Sequence, residues 1–161
     1  MMHSTIAIAA LLAATAAVPQ PAGPRLDART AQAAVAGCVA RAAERGQTLG
    51  IAVVDVGGRP IATLRMDGAG FGKMDFAMAK AQAAAAWGFP TAAMEEGART
   101  TPGFAAAPHV VTVAGGVPIW SSDGRVRLGA IGVSGAAPAE DSACAEAGIA
   151  AAGLRSSRTA D

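Results

Sequence analysis

From Ala114 to Gly135 the chain reads A-G-G-V-P-I-W-S-S-D-G-R-V-R-L-G-A-I-G-V-S-G, and no other stretch narrows the possible folds as much. Two apolar runs, Gly116 to Trp120 and Val126 to Val133, flank Ser121-Ser122-Asp123-Gly124. Aspartate and glycine tolerate the positive φ of tight strand connections, so Asp-Gly between apolar runs predicts a hairpin. Gly115, Gly116, Gly129, Gly132 and Gly135 bracket and interrupt the runs. Glycine inside a strand weakens packing and marks a bulge or the close approach of another backbone or a ligand. Ordinary turn chemistry accounts for these glycines on composition alone; a binding rim built on the hairpin is the sharper reading.

The chain has 161 residues, enough for one domain with a real core. Of these, 44 are alanine and only six are Phe or Trp, so helices must pack closely through small side chains. With 13 basic and 12 acidic residues the formal charge is +1, and no basic cluster occurs. That argues against nucleic acid or an anionic membrane surface as the main partner.

Ile6 to Ala17 is a continuous run of small and apolar residues, too short to span a bilayer as a helix. Ala14-Thr15-Ala16 resembles a signal-peptidase site, and V-P-Q-P-A-G-P follows as a linker. The expectation is a signal peptide over residues 1–17, a linker over 18–26, a domain over 27–154 and a polar, frayed tail over 155–161. Export would place the mature chain in the periplasm or outside the cell. Cys38 and Cys144 stand in no C-x-x-C or metal-ligand spacing. Two buried thiols on separate helices is the favoured reading. One disulfide closing a loop of roughly a hundred residues is the alternative.

Asp27 is an N-cap candidate for a helix ending near Gly46, with Ala31, Val35, Cys38, Val39 and Ala42 along its buried stripe. Leu49 to Val56 is apolar on both parities, as a central strand covered on both faces would be. Gly57-Gly58 allows a hairpin into a return strand from Arg59 to Met66, and Asp55 beside the turn reads as structural. The glycine-rich connector Asp67 to Gly72 does not follow the dinucleotide-binding pattern. A second helix covers Lys73 to Trp87, with Lys80 on a solvated flank. Thr91 caps a short helix through Glu96, and Arg99 to Pro108 is irregular. His109 to Ala114 reads as a further strand, and Pro138 opens a last helix with Glu140 and Asp141 in its first turn. The expected fold is α/β: about five mostly antiparallel strands with helices packed on the sheet.

Hydrolase chemistry has little to work with. His109 is the only histidine after the leader, and the glycines around Ser134 lack the spacing of a nucleophile elbow. Zinc sites need more Cys and His than the chain owns, and no phosphate-binding loop is present. What remains is a domain able to hold a flat apolar ligand. Met66, Met74, Met78 and Met94 could offer it a soft surface, although gap-filling in an alanine-rich core is the favoured reading of them. His109 is a chemically competent iron ligand.

Six separate segments resemble one family in order and spacing. They are Ile51-Ala52-Val53-Val54-Asp55 with Gly57-Gly58; Arg65-Met66-Asp67-Gly68-Ala69; Ala79-Lys80-Ala81; Phe89-Pro90-Thr91; Gly115-Gly116-Val117-Pro118-Ile119; and Gly129 to Gly135 followed by Glu140-Asp141. Together they resemble the GlcG/HbpS-type haem-binding proteins, a family related to the C-terminal domain of PduO corrinoid adenosyltransferases. The resemblance implies an α/β fold, a homo-oligomer and binding of haem or a related tetrapyrrole. By position it implies an iron-coordinating role for Thr91, and places Lys80, Gly115 and Gly116 as pocket residues. His109 matches no motif and is nominated on chemistry alone. The expected function is an exported protein that sequesters, carries or senses haem. Haem degradation or another small-molecule conversion is one alternative; a corrinoid-binding or accessory oligomer is another.

Overall fold

A computed structural model describes residues 23–160, so the expected leader and its cleavage site lie outside the described residues. The elements are α1 (Ala28–Glu44), β1 (Gly50–Asp55), β2 (Pro60–Arg65), α2 (Phe71–Trp87), α3 (Thr91–Thr100), a 3-10 turn (Phe104–Ala106), β3 (Gly116–Trp120), β4 (Arg127–Ser134) and α4 (Pro138–Ala151). The four strands form one sheet in the order β2-β1-β4-β3, and every neighbouring pair is antiparallel. No described helix is long and apolar enough to cross a membrane.

The sheet therefore has four strands rather than about five. Val110 to Ala114 has a β-branched composition, but no strand lies alongside to pair with it. Its first neighbour, His109, sits at φ 58, a left-handed conformation that ends any extended run before it starts. The Asp-Gly hairpin forms as expected, with Gly124 N–H donating to Ser121 O at 2.7 Å and Ser121 N–H to Val126 O at 2.8 Å. The final residues do not fray. Trp120 and Arg155 exchange two backbone hydrogen bonds of 2.8 and 3.1 Å, and Thr159 Oγ1 donates to Asp123 O at 2.7 Å.

Alternation along β1 explains the layering. Ile51 and Val53 join the core beneath α1 and α4, whereas Ala52 and Val54 face α2. The α2 side is built almost wholly from alanine, Ala77, Ala81, Ala84 and Ala85 against Ala52 and Ala130. Small residues let that helix lie almost on the strands: a Cβ on Gly132 would collide with the Ala77 carbonyl and the Ala81 amide. Met94 is fully buried, and Met66, Met74 and Met78 are partly buried against the two cores, so the methionines fill gaps.

On the other side, α1 and α4 pack together and are joined by a disulfide between Cys38 and Cys144. The favoured expectation of two separate thiols is thus corrected. Sequence spacing could not reveal that the two helices meet at those positions, 106 residues apart.

Asp27 caps α1, its Oδ1 accepting Thr30 N–H at 2.7 Å, and that bond with Thr30 holds its carboxyl below the usual carboxylate value. A folded-state value below the unfolded one means that the unfolded chain takes up the proton first as pH falls. The stabilisation is complete above the ordinary value of 3.8 and is lost as pH falls through the lower folded value. Asp27→Asn should therefore flatten the acid limb of a plot of urea midpoint against pH; an unaltered limb would remove Asp27 from the account.

Candidate ligand site

Four of the six signature segments meet in a buried knot. Lys80, expected on a solvated flank, is 1% exposed and Asp141 is 2% exposed. Lys80 Nζ donates to Asp141 Oδ2 and to Val133 O, both at 3.0 Å, and lies 4.8 Å from the centroid of the Phe76 ring. Asp141 Oδ1 accepts Ala136 N–H at 3.0 Å, so both carboxylate oxygens are used. The pair ties α2 to β4 and to the first turn of α4. Burying two charges is tolerable only when each is paired and hydrogen-bonded, as here.

The double glycine belongs to the same knot. Gly115 has φ 126, and a Cβ there would fall 2.6 Å from Val133 O and 2.8 Å from Lys80 Nζ. A Cβ on Gly116 would meet the Lys80 carbonyl and stand 2.7 Å from Thr91 Cγ2. Thr91 is fully buried as the first residue of α3, whose N-cap is Pro90. Its Oγ1 accepts Gly116 N–H at 2.9 Å instead of capping α3. In this arrangement the Thr91 oxygen serves the backbone, and its burial leaves no face toward a ligand the size of a porphyrin. Gly115 and Gly116 likewise are buried and pack against Lys80, Asp141 and Thr91.

His109 is elsewhere. It is exposed and lines a cleft of about 150 Å³ with Val56, Gly57, Gly58, Gln82 and Ala86. Trp87 Nε1 donates to Pro108 O at 3.1 Å, fixing the backbone immediately before His109. Trp87 also meets the Phe104 ring edge-on at 5.2 Å, so one side chain anchors two points of the loop before His109. Across the β1–β2 turn, Asp55 Oδ1 accepts Gly57 N–H at 2.8 Å and Arg59 N–H at 2.9 Å, which is the structural role expected for it.

Val56 is 53% exposed and belongs to two clefts at once. Beyond it the second cleft, about 500 Å³, lies between the start of α1 and the start of β4, with Leu26, Ile61 and Leu128 as its apolar walls. Small-molecule sites span about 300–1,000 Å³. The His109 cleft alone cannot enclose a macrocycle, but the larger cleft falls in that range and offers apolar contact. His109 lines only the smaller cleft, and Val56 is the residue common to the two. The described residues contain no group of three or more His, Cys, Asp and Glu able to hold a metal ion unaided.

Sequence reasoning nominated His109, which lines the smaller cleft, and did not single out Val56, whose place at the end of a central strand gave no hint of exposure. It also missed the partnership of Lys80 with Asp141, residues separated by 61 positions.

Comparison with known proteins agrees with this fold. No curated protein matches the chain at a significant level. Among solved structures, a double mutant of Streptomyces reticuli HbpS is 31% identical, with a TM-score of 0.75 over 86% of this chain and 97% of that one. A PduOC:heme complex is 24% identical, with a TM-score of 0.75 over 84% of this chain and all of its own. Klebsiella pneumoniae protein ORFY, of the DUF336 family, is 22% identical, with a TM-score of 0.72 over 84% of this chain and 97% of that one. At such identities the last two show likeness of fold alone. A family model described as "Haem degrading protein HbpS-like" matches residues 26–150, and the chain belongs to that HbpS-like family.

Proposed function

We propose that this chain binds haem, with His109 as the iron ligand, and that it sequesters, carries or senses haem outside the cytosol. The observation that carries the reading is His109 itself, an exposed imidazole in a left-handed conformation that lines a small cleft beside Val56. Neutral imidazole is a common axial ligand of haem iron. A non-glycine residue with positive φ is uncommon and persists where the surroundings hold it, as the Trp87–Pro108 bond does here. Membership of the HbpS-like family and a fold shared with a protein crystallised as a heme complex support the same ligand class.

Export draws support from the Cys38–Cys144 bridge, because disulfides persist in oxidising compartments and are rare in the cytosol. A homo-oligomer draws support from β2, an edge strand with only one partner. Beside it runs an apolar groove of about 670 Å³ between Val35, Val39, Ile61 and Leu64. Light scattering should return a mass above that of one chain; a monomer at all concentrations would reject the assembly.

Titration of hemin into the chain from residue 23 onward tests the ligand class. Saturable formation of a shifted Soret band is expected. A spectrum equal to that of free hemin at every ratio would reject haem binding.

A further inference from the structure

We propose that Arg127 receives the carboxylate edge of the bound tetrapyrrole, so that the site selects porphyrins bearing free propionates. This rests on the reading of His109 as the iron contact. Arg127 is the first residue of β4 and lines the larger cleft beside Asp55, Val56 and Leu128. Its guanidinium lies across the C-terminal end of α2: a Cβ on Gly88 would stand 3.2 Å from Arg127 Cζ. Gly88 follows Trp87, and Ala86 of the same turn lines the His109 cleft. Arg127 and His109 therefore flank Val56 at one end of the sheet.

The state of the Arg127 side chain points to an acidic ligand. Arg127 is half-buried, and its side chain has no hydrogen bond or ion pair with any described residue. The two carboxylates that line the same cleft accept backbone amides: Asp27 Oδ1 accepts Thr30 N–H, and Asp55 Oδ1 accepts the amides of Gly57 and Arg59. A planar guanidinium matches a carboxylate with two parallel hydrogen bonds, which a lysine cannot reproduce. Haem carries two propionates on one edge and an iron at its centre. Iron at His109, the macrocycle over Val56 and the propionate edge toward Arg127 would use all three features together.

Hemin and hemin dimethyl ester, which keeps the iron and macrocycle but lacks the carboxylates, separate these contributions. Each is titrated into the parent chain, Arg127→Gln and Arg127→Lys, with the Soret band as readout and the urea midpoint as a check on folding. The parent should bind hemin about tenfold more tightly than the ester, the size expected of one charge-assisted contact. Arg127→Gln should lose that preference while keeping the Soret position and the parent's affinity for the ester. Arg127→Lys should retain part of the preference. If the parent shifts both spectra with equal affinity, or if Arg127→Gln weakens both ligands alike, the Arg127 assignment fails and the haem reading stands. If the parent shifts neither spectrum, the haem reading fails and this assignment with it.

Discussion

Lys80→Met should lower the unfolding free energy by about 3–5 kcal/mol, because it strands a buried carboxylate without its cation. Asp141 is 2% exposed, so water cannot replace the lost partner. Against a total stability of about 5–15 kcal/mol for a domain, that loss brings the chain close to unfolding. Asp141→Leu should cost a similar amount by leaving the Lys80 ammonium unpaired. The double variant Lys80→Met/Asp141→Leu should recover most of the loss, since two apolar groups of similar volume can replace a buried pair at little cost. Urea unfolding of all four proteins gives the coupling directly. Single variants within about 1 kcal/mol of the parent would mean that the pair is solvated, contrary to the geometry described, since that is the range of surface ion pairs.

Cys38→Ala/Cys144→Ala should lower stability by about 2–5 kcal/mol, the range for removal of a native disulfide from a small domain. The bridge spans 106 residues, and a loop that long restricts the unfolded chain strongly. Alanine is preferable to serine, because both positions are fully buried and a hydroxyl would lack a partner. The check is a guanidinium unfolding curve for the double variant, paired with thiol counting on the parent denatured without reductant. No titratable thiol in the parent and a clear drop in midpoint are expected. Two free thiols in the parent, or an unchanged midpoint, would contradict the bridge.

Local physics was legible in the sequence and partnership was not. The Asp27 cap, the Asp-Gly hairpin and the double-sided burial of β1 each follow from a few adjacent residues, and each is present in the structure. Lys80 was misplaced because a lysine on an alanine-rich helix normally faces water, and nothing near it names Asp141 as its counter-charge. The run Val110 to Ala114 has strand composition, but a strand exists only beside another strand. The signature itself was read correctly as a family mark. Gly115 and Gly116 are glycines because the Lys80–Asp141 pair and Thr91 fill the space where side chains would stand. Of the site residues expected from sequence, Lys80, Thr91, Gly115 and Gly116 form one buried knot, and His109 lines a separate cleft.

That separation is the central claim, and parallel hemin titrations of His109→Ala and Thr91→Val address it. Thr91→Val removes the hydroxyl that accepts Gly116 N–H without changing side-chain shape, so it should lower stability by about 1–3 kcal/mol through an unsatisfied buried amide. It should leave the Soret spectrum as in the parent, whereas His109→Ala should shift or abolish the band while unfolding at the parent's midpoint. The reverse result, an altered spectrum in Thr91→Val and a parental one in His109→Ala, would place the iron at the knot and contradict the account.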